Sequence, residues 1–295
     1  MDEDCNVNNK LHFKAEIAMT SNLKFKKVLV AGLGQVGLPT AEYIKGKGLF
    51  VLGYDINERA VLRAKNRGIK ATTEWRNLPD DVDVYIICVS TSPSKDMKPN
   101  LSSIFDVCEK ISEKAMDHSL VSIESTIVPG TSRKIYEDIL ERRLALIHVP
   151  HRYWSGDPVN HGVHQLRVIG AINDKSLEVG LDFYKDVLDI PLYVVSSIEV
   201  AEMCKIAENA YRYACIAFVE ELRMICEELG LDFDEVRNAC NTKWNIDMLE
   251  ARDGIGGHCL PKDIRYLASL TEHNLLLKSA ILVDEQYRKW VSRHK

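Results

Sequence analysis

The sequence predicts an α/β fold in which a doubly wound sheet is followed by an all-α domain. Over residues 24–196, short apolar runs alternate with helical patterns, which is typical of parallel strands joined by crossover helices. One long helical pattern then runs from Ser196 to Glu228. These changes predict a disordered tail at 1–23, a Rossmann-like sheet domain at 24–196 and a helical domain at 197–295, with the long helix connecting the two domains.

Composition limits the classes of function. The chain of 295 residues is 46% hydrophobic and 27% charged and has a formal net charge of −5. This balance is typical of a soluble globular protein and offers no basic surface to nucleic acid. No apolar run reaches the length of a membrane span, and residues 1–22 lack the core of a secretory signal, with Met19 a candidate first residue. Eight cysteines without a C-x-x-C pair indicate reduced thiols, so we expect a cytoplasmic protein.

A glycine motif lies between the first predicted strand, at 27–31, and a helix at 38–47. This order is the fingerprint of a dinucleotide-binding domain, whose glycines let the pyrophosphate approach a helix N-terminus. The second strand, at 50–54, ends at Asp55, which is placed to bind the adenine ribose. Because a carboxylate repels the 2′-phosphate of NADP, Asp55 favours NAD, whereas Arg59 favours the alternative, NADP. The predicted cofactor residues here are Gly32, Gly34, Gln35, Val36, Gly37, Asp55 and Arg59.

Polar residues follow three further predicted strands, at 82–89, 120–123 and 144–149, which alternate with helices at 101–115 and 129–143. Strands at 166–171 and 191–195, with a helix at 175–188, complete the domain. Ligands of open α/β sheets bind beyond the carboxyl ends of the strands. For each hydroxyl there, a turn or a helix cap is an equally good interpretation. The residues expected near the cofactor are Ser90, Thr91, Ser125, Thr126 and His151.

Four histidines form two H-x-x-H pairs, His148 with His151 and His161 with His164. Such pairs bind metal when a helix presents both rings on one face. Here His148 ends a strand and the others lie in a loop, so no helical face brings them together. We therefore predict no metal site.

Two groups of residues in the helical domain point to chemistry. Lys205 and Asn209 lie one turn apart on the long helix and so share a face. Cys259 follows three glycines in the stretch Gly254–Asp263, and glycines let a ligand approach the backbone closely. The neighbouring Lys262 is expected to lower the thiol pKa from about 8.5. A nucleophile is the favoured interpretation of Cys259, and an inert buried thiol is the alternative.

The helix starts in this domain are also predicted from sequence. Ser196 with Glu199 forms one capping box and Asp232 with Glu235 forms another, and Gly230 ends the long helix. From Asp232 to Lys295 the sequence reads as helical.

Motifs along nearly the whole chain resemble those of the nucleotide-sugar dehydrogenases, the UDP-glucose/GDP-mannose dehydrogenase family. The glycine–cysteine stretch is most similar to the branch that acts on UDP-N-acetylhexosamines such as UDP-N-acetylmannosamine. The stretches that carry the resemblance are Gly32–Pro39, Asp55–Val61, Glu124–Thr131, Glu199–Asn209 and Gly254–Asp263.

The resemblance implies a four-electron oxidation of a sugar CH2OH to a carboxylate with two NAD. Cys259 would add to the aldehyde, and the thiohemiacetal would be oxidised to a thioester that water releases. Lys205 and Asn209 would stabilise the oxyanions, Asp263 would orient or deprotonate, and Thr126 would position water. We also place Lys262 among the cofactor-binding residues. The resemblance further implies a homodimer paired through the long helix and a place in polysaccharide biosynthesis.

The sequence departs from the family pattern in two respects. Pro150-His151 stands where the family has Pro-Glu, so an imidazole with a pKa near 6.5 would take over the acid/base work of that glutamate. Family members also continue into a third, Rossmann-like domain that grips the nucleotide, and only its connecting helix, at about 275–293, is present here. We expect a partner or a longer chain to supply that domain, or the substrate to differ from an ordinary nucleotide sugar.

Two other functions stay open at this point. A two-electron dehydrogenase of the hydroxyacid type uses a lysine and an asparagine spaced as Lys205 and Asn209 are, without a cysteine. Cys259 argues against that function and His151 argues for it. The other is a non-enzymatic NAD-binding protein, against which the retention of these polar residues argues. The yield of NADH per substrate, two, one or none, separates the three.

Overall fold

The protein is described by a computed structural model that covers residues 24–92 and 99–294. The predicted tail and Pro93 lie outside these residues. The chain forms two compact units. We call the first the sheet unit; it contains the described residues up to Thr91 and Leu101–Glu202. The second, the helical unit, contains the stretch that ends at Asn100 and the described residues from Met203 onward.

The described residues of the sheet unit form an eight-stranded sheet in the order β3-β2-β1-β4-β5-β6-β7-β8. All neighbouring strands are parallel except β6 and β7, which are antiparallel. The order grows outward in both directions from β1, so the predicted doubly wound fold class is confirmed. The strands are β1 Lys27–Ala31, β2 Phe50–Tyr54, β3 Lys70–Thr72, β4 Val84–Ile87, β5 Leu120–Ile123, β6 Ala145–His148, β7 Arg167–Ala171 and β8 Leu192–Val194.

Strand β1 shows why this sheet carries a core on each face. Side chains of a strand alternate between the two faces. Val28 and Val30 accordingly join one buried apolar cluster, and Leu29 and Ala31 join another. Each fully buried aliphatic side chain contributes about 1.5–3 kcal/mol relative to exposure. The continuous apolar run at this strand is therefore the consequence of helices packing on both sides.

Helices cover both faces of the sheet: α1 Gly37–Gly46, α2 Glu58–Asn66, α3 Ser102–Lys114, α4 Thr131–Asp138 and α5 Asp174–Leu181. The prediction of a helix at 129–143 was wrong about its length. Glu141 and Arg142 have φ values of 50° and 59°, which end helical geometry after α4. Helix α5 continues into a π-helical turn at Asp182–Val187, so the predicted helix at 175–188 is interrupted.

The helical unit is built mainly on the long helix α6 Ile198–Leu229, whose first five residues belong to the sheet unit. It also contains α7 Phe233–Cys240, α8 Cys259–Ser269 and α9 Leu275–His294. Gly230, with φ +67°, follows the end of α6 as predicted. Residues 241–258 are not helical, so the prediction of helix from Asp232 onward was wrong there. None of the described helices is long and apolar enough to cross a membrane.

One of the two predicted capping boxes was wrong. At the start of α6 the hydroxyl of Ser197, not Ser196, accepts a hydrogen bond from the backbone of Val200 (3.3 Å). Glu199 forms an ion pair with Arg133 of α4 (2.6 Å). The start of α7 is confirmed, because Asp232 accepts from the backbone of Glu235 (2.9 Å).

Candidate active site

The glycine loop between β1 and α1 uses its three glycines in two different ways. Gly32 has φ +92°, and a Cβ there would lie 2.5 Å from the carbonyl oxygen of Cys88. A Cβ on Gly37 would lie 1.8 Å from the carbonyl oxygen of Gly32, so both positions require glycine for packing. A Cβ on Gly34 would meet no atom within 4 Å. The open space at Gly34 is what the close approach of a pyrophosphate needs, so the residues present fit a dinucleotide.

Asp55, at the carboxyl end of β2, holds this loop in place. Its Oδ2 accepts from the backbone N–H of Leu33 (2.7 Å), and its Oδ1 accepts from that of Asn57 (2.8 Å). Asp55 therefore fixes the loop as well as being available to a ribose. Gln35 and Arg59 are exposed and Val36 is half-buried. The contacts of Asp55, Gln35, Val36 and Arg59 with a cofactor stay predictions.

The predicted hydroxyls at the strand ends make contacts within the protein. Thr91 is buried and donates to the carbonyl oxygen of Thr126 (2.8 Å). Ser125 is buried and donates to the carbonyl oxygen of Val89 (2.7 Å). These bonds support the interpretation of Thr91 and Ser125 as residues that shape the turns. Ser90 is exposed and Thr126 half-buried, so a ligand role for either stays a prediction.

His151 lies where it was predicted, beyond β6 at the carboxyl edge of the sheet, but it is only 5% exposed. Its Nε2 forms an ion pair with Glu124, which follows β5, and lies 2.9 Å from the hydroxyl of Thr40 on α1. Glu124 also pairs with the buried Arg167 (3.0 Å) and accepts from the Tyr184 hydroxyl. Burial alone would raise the pKa of Glu124, but the charges of His151 and Arg167 outweigh it and lower that pKa to about 2.

The same cluster includes a thiol. Cys88 lies 3.5 Å from Glu124, and burial, followed by the charge of Glu124, raises the pKa of that thiol well above its ordinary value. In the described part of the chain, the potential ligand atoms of Cys88, Glu124 and His151 lie within 4.8 Å of one another. Because Arg167 and His151 both pair with Glu124, the geometry is that of a buried ion-pair network. The prediction that no metal is bound stays a prediction.

The other histidines of the two pairs have separate surroundings. His148 is buried in β6. The ring of His161 lies 5.7 Å from that of Trp154, and the ring of His164 lies 6.4 Å from that of Tyr43. The structure thus gives His161 and His164 aromatic neighbours rather than ligands held in common.

Sequence reasoning missed the importance of Glu124 and Arg167. Arg167 is 0% exposed and lies in a strand that is otherwise apolar. A charged residue within a buried strand requires a buried partner of opposite charge, which is the signal that could have pointed to Glu124. No pattern in the sequence could say which acid that partner would be.

The helical unit brings together three of the residues predicted to act on the substrate: Lys205, Asn209 and Asp263. Asn209 of α6 donates to the buried carboxylate of Asp263, and Asp263 also forms an ion pair with Lys262. Burial lowers the pKa of Lys205, and the charges of Asp263 and Glu208 oppose that effect. Lys205 and Asn209 therefore both lie close to Asp263; their roles toward a substrate stay predictions.

Cys259 is exposed and is the first residue of α8. The alternative interpretation of Cys259 as a buried thiol is therefore wrong, because this residue is exposed. Lys262 is only 5% exposed, and its ammonium lies 4.5 Å from the Tyr266 ring centroid as well as against Asp263. Its predicted contact with a cofactor stays a prediction.

Comparisons with known proteins decide the family. The NAD binding domain of the UDP-glucose/GDP-mannose dehydrogenase family matches residues 60–188, and the central domain of that family matches residues 199–285. UDP-N-acetyl-D-mannosamine dehydrogenase of Methanococcus vannielii is 33% identical over 288 residues, which cover 91% of this chain and 67% of that protein. The chain belongs to the UDP-glucose/GDP-mannose dehydrogenase family.

Solved structures agree with this family. The UDP-D-ManNAc dehydrogenase of Pyrococcus horikoshii superposes with a TM-score of 0.83 at 28% identity, covering 90% of this chain and 70% of that one. A 3-hydroxyisobutyrate dehydrogenase of Mycobacterium tuberculosis, 15% identical, has the same fold with a TM-score of 0.70 and is covered to 95%. The family establishes an NAD-dependent dehydrogenase of the nucleotide-sugar type and confirms NAD as the cofactor. The chain spans about two thirds of the length of the relatives from M. vannielii and P. horikoshii.

Proposed function

We propose that this dehydrogenase oxidises the CH2OH group of a nucleotide sugar to a carboxylate through a covalent bond to Cys259. The observation that carries the proposal is the exposed thiol of Cys259 at the start of α8, in the unit that also holds Lys205, Asn209 and Asp263. The names of the similar proteins support a UDP-N-acetylhexosamine, in particular UDP-N-acetylmannosamine, as the substrate.

The covalent steps follow from these side chains. The alcohol first loses a hydride and a proton to become an aldehyde. The Cys259 sulfur then adds to the aldehyde carbon and its thiol proton moves to the oxygen, which gives a thiohemiacetal. Loss of a second hydride and a proton gives a thioester. Water then adds, the C–S bond breaks, and the carboxylate and the free thiol are released.

Bound NAD supplies the hydride acceptor for each of the two oxidations. Gly34 would let its pyrophosphate approach the loop that Gly32 and Gly37 shape, and Asp55 would hold its adenine ribose. Lys205 and Asn209 would donate to the oxygen that becomes negative, and one such donor contributes about 2.7–4 kcal/mol. The contact of Asp263 with Asn209 keeps that amide oriented toward the substrate.

We assign two roles to the sheet unit. Thr126 would position the water that hydrolyses the thioester, and His151 would take the acid/base role of the family's glutamate. The ion pair of His151 with Glu124 supports an imidazole whose orientation is fixed. The same pairing also favours a second candidate function, a dehydrogenase whose product is the aldehyde after a single two-electron oxidation. The His151 imidazole that contacts Glu124 and Thr40 is less available to activate water, so thioester hydrolysis would be slow.

The experiment measures NADH and acid formed from UDP-N-acetylmannosamine. We expect two NADH per acid with the wild type. Cys259→Ser cannot form the thioester, so acid formation should fall by at least two orders of magnitude while NAD affinity stays within about twofold. Cys240→Ser, a half-buried cysteine of α7, is the matched control and should behave as wild type.

Two results would contradict this function. One NADH per substrate, with aldehyde as the product, would favour the two-electron candidate. Near-normal acid formation by Cys259→Ser would remove the covalent mechanism.

We further propose that the enzyme is a homodimer paired through α6. Along this helix, Tyr211, Phe218, Ile225 and Leu229 are 74%, 55%, 46% and 65% exposed, and the half-buried Cys215 and Leu222 lie between them. Positions 211, 215, 218, 222, 225 and 229 alternate by four and three, which is the spacing of a helix that packs against another helix. We call this set the α6 stripe. Because the resemblance implies a dimer through this helix, a second copy of this chain is the occupant we propose.

A cytoplasmic location is also a proposal. The seven cysteines of the described residues are all free thiols. Free thiols, including the exposed Cys259, persist in a reducing compartment.

A further inference from the structure

The loop that leads to Cys259 is hydrogen-bonded to Asp284 of helix α9. The buried Asp284 carboxylate accepts hydrogen bonds from the backbone N–H of Ile255 (2.8 Å) and from the Tyr213 hydroxyl (3.0 Å). Arg288, one turn further along α9, donates from Nε to Asp284 (3.0 Å) and from Nη2 to the carbonyl oxygen of Ile255. One ion pair thus holds both backbone groups of Ile255.

The loop is held at a second place, just before Ile255. The Tyr287 hydroxyl of α9 donates to the carbonyl oxygen of Arg252 (2.6 Å). Arg223 of α6 donates to the carbonyl oxygen of Ala251 (3.0 Å) and to the Tyr287 hydroxyl (3.0 Å). The backbone from Ala251 to Ile255 therefore has hydrogen-bond partners on two helices.

Arg288 also fixes the shape of the loop by steric contact. Gly254 has φ +100°, and a Cβ there would lie 2.7 Å from Cγ of Arg288. By contrast, a Cβ on Gly256 or Gly257 would meet no atom within 4 Å. The closely packed part of the loop ends at Ile255, and Cys259 follows four residues later. Holding Ile255 therefore fixes one end of the short segment that leads to Cys259.

A second buried acid, Glu220, lies near this ion pair. Glu220 of α6 is 0% exposed, and neither of its carboxyl oxygens has a hydrogen-bond partner among the described residues. Burial, followed by the charge of Asp284, raises the pKa of Glu220 to about 8. Glu220 is thus largely neutral at pH 7, so it competes little with Asp284 for Arg288.

We propose that Asp284 and Arg288 are positioning residues, which place Cys259 for attack by holding the backbone of Ile255. This inference rests on the proposed role of Cys259 as the nucleophile. A displacement of about 1 Å at a reacting atom can cost about 100-fold in rate, so a clamp four residues away can affect turnover without touching substrate.

The test compares Arg288→Met with Lys289→Met. The second variant is a matched control, because Lys289 is the exposed neighbour on the same helix and loses the same charge. Arg288 is itself 46% exposed in its side chain, so its variant should fold. Hydrogen exchange by mass spectrometry reports the backbone of residues 251–259, and steady-state kinetics with UDP-N-acetylmannosamine report kcat and KM.

For Arg288→Met we expect at least tenfold faster exchange in this segment and a kcat at least tenfold lower, equivalent to about 1.4 kcal/mol, with KM within threefold. Arg288→Lys keeps the charge but lacks the forked donors, so it should restore part of kcat. Lys289→Met should match the wild type in both measurements. Asp284→Asn should repeat the effects of Arg288→Met if it folds.

Unchanged exchange in Arg288→Met, or faster exchange with an unchanged kcat, would overturn the positioning role. Failure of the proposed function would be visible separately, as a wild-type protein that forms no acid. In that case alkylation of Cys259 by iodoacetamide replaces kcat as the readout. We then expect it to slow at least threefold in Arg288→Met, because the thiol is held less of the time in its exposed position at the start of α8; an unchanged rate would overturn the proposal.

Discussion

Glu124 and Glu220 are both fully buried, yet their surroundings shift their pKa values in opposite directions. Glu124 has His151 and Arg167 as partners, and its pKa falls to about 2. Glu220 has no hydrogen-bond partner among the described residues and faces the like charge of Asp284, with Arg288 as the opposing charge, so its pKa rises to about 8. A pKa difference of one corresponds to about 1.4 kcal/mol of differential stabilisation between the charged and neutral forms of the side chain. The two residues should therefore make opposite contributions to the pH dependence of stability.

Glu124→Gln should lower the free energy of unfolding at pH 7 by about 3–5 kcal/mol, because it leaves the charge of Arg167 buried without its partner. The pKa of Glu124 is lowered in the folded state, so its contribution is complete above pH 4.5 and is lost as the pH falls toward about 2. Urea unfolding followed by circular dichroism should show the difference between wild type and variant shrinking over that range. Glu42→Gln, which breaks an exposed pair with Arg67, is the control and should cost less than about 1 kcal/mol.

Glu220→Gln should show the reverse trend. An acid whose pKa is raised in the folded state binds more protons there than in the unfolded chain, so wild-type stability falls as the pH rises from 4.5 to about 8. Glutamine resembles the neutral carboxyl and does not titrate. The variant should therefore gain stability relative to wild type across this range, by more than about 1.4 kcal/mol at pH 8. A difference that does not vary with pH would show that Glu220 is not protonated at neutral pH.

At the scale of an element, different glycines of the loop between β1 and α1 serve packing and cofactor binding. A methyl group on Gly37 would collide with the carbonyl oxygen of Gly32, whereas one on Gly34 would enter open space. The loop is also held by a hydrogen bond from the backbone N–H of Leu33 to the carboxylate of Asp55 (2.7 Å). Three glycines that look equivalent in the motif therefore have different reasons to be there.

Gly34→Ala and Gly37→Ala should accordingly fail in different ways. Gly34→Ala should keep its unfolding temperature within about 3 °C, since the added methyl group displaces no atom. It should bind NAD at least tenfold more weakly, a loss of about 1.4 kcal/mol, because the methyl group takes the space of the pyrophosphate. Gly37→Ala should unfold at a clearly lower temperature. Differential scanning calorimetry and isothermal titration calorimetry measure the two effects. Equal NAD affinity of Gly34→Ala and wild type would show that the pyrophosphate does not approach this residue.

At the scale of the whole molecule, the α6 stripe predicts the state of assembly. Substituting both Phe218 and Ile225 by Glu places charges in the proposed contact between two chains, so the variant should sediment as a monomer while the wild type sediments as a dimer. Leu282→Glu, at a leucine of α9 that is 57% exposed, is the matched control and should stay dimeric. Analytical ultracentrifugation distinguishes these states. A wild-type monomer would remove α6 as a subunit contact.

The sequence by itself determined the elements and the family of chemistry. The strands at 27–31, 50–54 and 120–123 agree with the structure residue for residue, because a buried parallel strand needs a mostly apolar run. The glycine motif, Lys205 with Asn209, and Cys259 were visible because each depends on residues close together in the chain. One error arose at the end of an element, at Ser196, where a single cap decides the outcome. Another was the prediction of helix through residues 241–258, which form an irregular stretch between two helices.

Only the tertiary structure decided how the charges are paired. Arg167 meets Glu124 across 43 residues of sequence, and Asp284 meets Ile255 across 29. Local patterns carry no information about such partners, since their choice depends on which strands and helices become neighbours. The same is true of the surroundings of each side chain: the charges of His151 and Arg167 lower the pKa of Glu124, burial raises that of Glu220, and Cys259 stays exposed. Those environments follow from packing, and packing is a property of the folded chain.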